Sequence, residues 1–430
     1  MDPRTRFLLG RAVGAAVTAT TLRPVGRYTR LGSLEFAVGL PTAELPLQAA
    51  AFQGALAWAG ARRGALRGWQ GAAGLVLLGA SMAGLWRLHR DAQDAEKVLE
   101  GALRDGLGDD YRDGITEPFS PPPDVPLRRR SILLPKIPPR KLYTSAGRNV
   151  PYGGAGRRNH LDIWRRADLP ADARAPVLLQ VHGGAWVVGQ KEFQANPLMA
   201  HLAERGWVCV AINYRLSPRA TWPDHIIDVK RAIAWVRDHV ADHGGDPDFL
   251  VITGGSAGGH LSSLAAVTPG LTDFQPGFEE ADTSVAAAVP FYGVYDFTDR
   301  HGFANPDLEH LLTDFVFKSR LSEDRDRWDQ ASPMSHIGPD APPFFVLHGT
   351  NDTLVPVEEA RAFSAMLRPV SRQPVVYAEL LRAQHAFESL PSVRAHHTVH
   401  AVERFLAVVR SRHGGPTPAA AVRAGQVGGS

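Results

Sequence analysis

The sequence predicts an α/β protein, a mostly parallel sheet with helices on both faces, preceded by an apolar helical region. Three observations predict it. Short β-branched or apolar runs alternate with helix-period stretches through the second half of the chain. Such alternation buries parallel strands between two helical layers. A small-residue cluster, Gly254-Gly255-Ser256-Ala257-Gly258-Gly259, joins one such strand to one such helix. Ahead of all this, long stretches near the N-terminus carry no charge.

Those stretches come first in the chain. No charged residue occurs from Leu45 to Ala61 or from Gly68 to Trp86, and the second run has about the length that spans a hydrocarbon core. A third run, Phe7 to Leu22, carries Arg11. Residues 1–104 are therefore expected to form an apolar helical membrane anchor of two or three spans. An Ala/Gly-rich helical hairpin packed on the soluble part is the alternative. Arg62, Arg63 and Arg67 between the two better segments compete with Arg23, Arg27, Arg30, Arg87 and Arg90 outside them, so the positive-inside rule selects no side.

From 105 to 140 eight prolines, Pro118 to Pro139, break any helix and read as a semi-rigid linker. Arg128 to Arg130, Lys136, Arg140 and Lys141 within it form a basic cluster, a solvated face or a contact for anionic headgroups. Residues 141–412 form the expected catalytic domain, and 413–430, without large apolar residues, a disordered tail.

In the catalytic region the expected strands are Ala175–His182, Trp207–Asn213, Phe249–Gly254, Val285–Tyr292, Pro343–His348 and Pro374–Leu380. Helices are expected over Asp224–Val240, after Ser256, over Pro356–Arg368 and over Val393–Val409. Composition narrows the function classes. The net charge is only +3 and no basic run is interleaved with aromatics, so nucleic-acid binding has no support. Cys209 is the lone cysteine, which excludes an intramolecular disulfide and reads as a small buried hydrophobe.

The chemistry follows from the Gly-Ser cluster. Gly254 to Gly258 fits G-x-S-x-G between strand and helix, where the glycines let the turn close and Ser256 is exposed above the sheet. A serine hydroxyl needs a base, and the base needs a carboxylate to fix its tautomer. Asp352, in "HGTNDTLVP", and His385, in "AQHAF", each follow a strand on the same rim. Asp296 is the rival acid. His260 and His348 adjoin motifs without projecting toward the serine. "VHGGAW" ends an earlier strand, and Gly183 and Gly184 are expected to join the Ala257 N–H as oxyanion donors. Trp186 walls the pocket or belongs to the core, Tyr292 is a candidate pocket residue, and His182 has a structural role within its loop.

Together "HGGAW", "NYRLSP", "GGSAGGHL", "HGTNDTLVP" and "QHAF" resemble the α/β-hydrolase superfamily and, within it, the hormone-sensitive-lipase-like esterases, over about Tyr143 to Arg412. With its apolar extension the chain looks like membrane-associated lipases and esterases of mycobacteria and related actinobacteria. The resemblance implies the α/β-hydrolase fold and hydrolysis of short- to medium-chain or lipid-derived carboxylic esters, with no metal or organic cofactor. It leaves oligomeric state and membrane side open. Ala185 stands where many lipase members have a third glycine, a form shared with feruloyl-esterase-like and arylformamidase-like relatives, so acyl and leaving groups stay open. An acyltransferase or a non-catalytic membrane-bound pseudohydrolase is the alternative. The segment from about 297 to 331 breaks the strand-helix rhythm and is expected to be a lid, with Phe315 and Phe317 lining the acyl side.

Overall fold

The computed structural model describes residues 1–115, 127, 129–136, 140–144, 147–303 and 305–413. Most of the Pro-rich stretch and the tail after His413 lie outside the described residues.

Four helices open the chain: α1 (Pro3–Leu22), α2 (Arg30–Glu44), α3 (Pro46–Arg62) and α4 (Gly68–Leu107). Small residues let them approach closely. A side chain at Gly74 of α4 would strike the Phe7 ring of α1, and Thr18 Oγ1 lies 2.7 Å from Ser81 Oγ across the same pair. Arg11, the one charge in the first apolar run, is buried and donates to the Gln53 carbonyl at 2.6 Å. The outer faces stay apolar, with Trp58, Trp69 and Val76 exposed by 63%, 70% and 72%. Only α4, among the described residues, is long and apolar enough to cross a membrane, where the sequence suggests two or three spans.

After the short α5 (Arg129–Leu133) the sheet begins. Its strands are β1 (Gly147–Pro151), β2 (His160–Trp164), β3 (Ala175–Val181), β4 (Val208–Ile212), β5 (Gly245–Gly255), β6 (Ala287–Phe291), β7 (Phe344–Gly349) and β8 (Val375–Leu380). They lie in the order β1-β2-β4-β3-β5-β6-β7-β8. The first two strands pair antiparallel, as do β2 and β4; from β4 onward every pair is parallel. The six expected strands are β3 to β8. Their residues are apolar on both sides because both faces are covered.

Between and after the strands run α6 (Asn196–Glu204), α7 (Asp224–His239), α8 (Ala257–Val267), α9 (Pro306–Leu311), α10 (Arg325–Ala331), α11 (Val357–Leu367) and α12 (Val393–Arg412). One core, with Val229 of α7, Leu261 of α8 and Phe363 of α11, covers one face. The other joins Leu202 of α6 and Phe405 of α12 to Leu99 and Leu103 of α4. The N-terminal region is therefore not a detached anchor. The amphipathic second half of α4 docks on α12 and β8 as part of the catalytic fold.

Candidate active site

The serine sits where a strand is forced into a helix. β5 ends at Gly255, and Ser256 adopts φ 58°, ψ −124° before α8 begins. A non-glycine residue in that region stores about 1–3 kcal/mol that the surroundings must offset. They do so by close packing: a Cβ at Gly258 would lie 2.1 Å from the Val181 carbonyl, so only glycine lets α8 start against the end of β3. The Ser256 N–H is held by the Phe291 carbonyl at 3.0 Å.

Two further loops reach the same rim. After β7, Asp352 places Oδ1 on the N–H groups of Leu354 and Val355 at 2.8 and 2.9 Å. Its Oδ2 accepts from His385 Nδ1 at 2.7 Å and lies 3.2 Å from His348 Nε2. Burial alone would raise this carboxyl, but the His385 and His348 imidazoles hold it well below the usual carboxylate range. Gln384 joins the loops, since its Oε1 accepts from the N–H of Thr353 at 2.9 Å and of His385 at 2.8 Å. The His385 ring packs at a tilt against Tyr292, centroids 4.4 Å apart, and Tyr292 in turn packs on Gly255 next to the serine. The Ser256 hydroxyl itself makes no hydrogen bond among the described residues; such contacts commonly tighten only when substrate binds.

The loop after β3 lies against the serine, with the Gly183 Cα face toward the Gly255 carbonyl and Ser256 Cβ. Gly184 turns at φ 121°, a conformation open to glycine. The Gly183 N–H donates to Gln194 Oε1 at 2.6 Å, so one expected oxyanion donor has a side-chain partner in the resting state. His182 is buried, stacked on Tyr214, and pushed by burial down to about 4. It stays neutral at physiological pH and holds the loop.

The chain is similar to known proteins along most of its length. Residues 161–367 match the BD-FAE family model. Over 417 residues the chain is 50% identical to the probable carboxylic ester hydrolase LipM of Mycobacterium tuberculosis (strain ATCC 25618 / H37Rv), covering 96% of each chain. The chain belongs to the LipM-like carboxylic ester hydrolases. Esterase LipQ of the same strain is 50% identical over 328 residues, 75% of this chain and 77% of LipQ. Among solved structures, the butyrate-bound esterase 2 of Thermogutta terrifontis superposes with a TM-score of 0.52 at 26% identity, over 62% of this chain and 94% of that one. The LipM-like hydrolase is thus a serine-hydrolase-type enzyme of α/β-hydrolase fold that acts on carboxylic esters.

Trp186, Tyr292 and Phe317, three of the four expected pocket residues of the LipM-like chain, are buried. Trp186 is buried; its Nε1–H donates to His260 Nδ1 at 3.1 Å while His260 Nε2 meets the Ala331 carbonyl at 2.8 Å. The indole is core because that hydrogen-bond chain ties it to α8 and α10. Phe317 is likewise buried, stacked on Trp328 and edge-on to Phe297, whereas Phe315 on the same turn is exposed. The expected lid from 297 to 331 is pinned by this aromatic cluster. It reaches the acid loop through Asn305 Nδ2, 3.0 Å from the Leu354 carbonyl. Tyr292 is buried too, its single hydroxyl proton shared between the two Glu388 oxygens, each 2.5 Å away. Asp296, the rival acid, is held by Arg300 at 3.0 Å.

What covers the rim is the N-terminal region, which sequence reasoning missed. Asn351 Nδ2 donates to the Thr21 carbonyl at 2.8 Å, and Arg27 Nη2 to Asn351 Oδ1 at 3.0 Å. Tyr28 N–H donates to the Thr353 carbonyl at 3.0 Å, and Thr353 Oγ1 to the Gly32 carbonyl at 2.8 Å. Buried Glu44 at the end of α2 pairs with Arg394 and accepts from Ser392 at 2.7 Å. No local motif signals these contacts, since they join residues more than 300 apart.

Proposed function

We propose that this carboxylic ester hydrolase works through Ser256 as nucleophile, His385 as base and Asp352 as the acid that orients it. His385 removes the Ser256 proton as Oγ attacks the ester carbonyl, Asp352 steadies the imidazolium, and an acyl-enzyme forms. His385 then protonates the departing alcohol and activates water for deacylation. Gly184 and Ala257 N–H groups receive the oxyanion, and Gly183 joins them when the substrate oxygen displaces Gln194. Preorganised donors of this kind supply a large share of the rate.

The observation that carries the reading is the 2.7 Å bond from His385 Nδ1 to a buried Asp352, on the rim where Ser256 is held in a strained turn. The ester is short- to medium-chain or lipid-derived; the structural relative with butyrate bound favours short acyl groups. Membrane association through α1, α3 and the first half of α4 belongs to the same proposal, supported by their exposed Val13, Trp58, Trp69 and Val76. Ser256→Ala should abolish turnover of p-nitrophenyl butyrate and labelling by a fluorophosphonate while leaving thermal stability near wild type. Retained turnover would reject the assignment.

A further inference from the structure

A second cluster of reactive side chains lies in the other helical layer, between α6 and α12. His400 and Glu403 are three residues apart on α12 and share one face of that helix. His201 of α6 faces them. Glu403 Oε2 lies 2.7 Å from His201 Nε2 and 3.6 Å from His400 Nδ1. All three candidate ligand atoms lie within 4.8 Å of one another. The two imidazoles meet edge to face at 4.6 Å, and His396 packs on His400 at 4.4 Å.

We propose that His201, His400 and Glu403 form a site for a zinc-class divalent cation, separate from the ester-hydrolysing centre. Two imidazole nitrogens and one carboxylate oxygen are the donor set that suits zinc and its neighbours rather than magnesium or calcium. One carboxylate oxygen serving two ring nitrogens also places a single focus of negative charge where a cation bridges all three groups. Tetrahedral zinc holds such N and O ligands at about 2.0–2.1 Å, so the three groups would draw together around the ion.

Supporting groups are in place. Arg205 Nε lies 3.3 Å from Glu403 Oε1, which fixes the carboxylate and leaves Oε2 to the histidines, as outer partners of metal ligands do. An ion can also enter. A cavity of about 660 Å³ between α2, α5, α6 and α12 is lined by His201 and His396, so the His201 side of the cluster is open to it. The site clamps α6 to α12 from the layer opposite α8, away from Ser256.

The test uses the full-length chain in detergent, stripped with a chelator and dialysed. Zinc titrated against a chromophoric competitor should bind at one ion per chain and raise the melting temperature. His201→Ala and His400→Ala should each weaken zinc at least tenfold while p-nitrophenyl butyrate turnover stays near wild type, which reports an intact fold and keeps this test distinct from that of Ser256. Cobalt added to the wild type alone should give the visible bands of a four-coordinate ion, independent of any variant. No stoichiometric zinc, equal binding in the variants, or a six-coordinate cobalt spectrum would overturn the proposal and leave the cluster as a hydrogen-bonded ion pair network.

Discussion

The Phe36 ring of α2 stands edge-on to the His385 imidazole, with centroids 5.8 Å apart and an interplanar angle of 79°. A helix that the sequence assigns to the anchor region thereby touches the proposed catalytic base. Edge contacts of this kind contribute about 0.5–1.5 kcal/mol beyond area burial. Phe36→Ala should lower kcat/KM for p-nitrophenyl esters by several-fold, up to about tenfold, with little change in melting temperature. Unaltered kinetics would mean that α2 covers the imidazole without fixing it.

His348 is the second imidazole on Asp352, fully buried and 3.2 Å from Oδ2. A hydrogen bond to a charged group contributes about 1.5–3 kcal/mol. His348→Leu should lower both stability and kcat, and His348→Gln, which retains an amide donor, should recover part of each. The sign with pH follows from the depressed carboxyl. Its stabilisation is present above the unfolded-state value of about 3.9 and is lost as pH falls through the lower native value. Removing the His348 donor raises the native value, so acid unfolding of His348→Leu should begin at higher pH, measurable by circular dichroism.

Glu359 behaves in the opposite sense. Burial, with Asp296 and Asp299 nearby, pushes its carboxyl up to about 8, although its Oε2 accepts from the Tyr295 and Asp296 N–H groups at 2.9 and 3.0 Å. It is neutral in the fold and ionised in the unfolded chain at pH 7. Its contribution is full below about 4.3 and declines as pH rises through about 8. Glu359→Gln keeps the accepting oxygen and removes the titration. The variant should match wild type near pH 4 and melt at a higher temperature than wild type at pH 8.5. Parallel melting curves across that range would show that Glu359 is ionised in the native state.

Leu103 of α4 is fully buried in the layer with Phe405 and Val376. Leu103→Ala should cost about 2–5 kcal/mol, read as a lower denaturation midpoint for the catalytic fold. A detachable anchor helix would show no such loss.

Legibility differed by the range of the interactions. The parallel strands β3 to β8 were readable because burial on both faces leaves runs such as "APVLLQV" and "FFVLHG". The two antiparallel strands were not. β1 is "GRNVP", without alternation, and β2 carries Asp162, a buried acid made tolerable by Arg140, Lys191 and the Asn149 N–H. The turn at Ser256 and the loops with Asp352 and His385 follow from local chemistry and chain order. Phe36, His348 and Gln384 do not, because their roles exist only once distant segments meet. Trp186 and Phe317 were ambiguous for a related reason: a bulky aromatic beside a motif looks the same whether it lines a pocket or fills a core.

The 40 residues of α4 form one uninterrupted rod, about 60 Å from end to end at 1.5 Å per residue. Its outward Val76 and its inward Leu103 thus belong to a single rigid lever. Any surface that takes up the first half would also set the tilt and stand-off of the sheet, so the rim that carries Ser256 is aimed by the helix axis rather than left to swing on a tether.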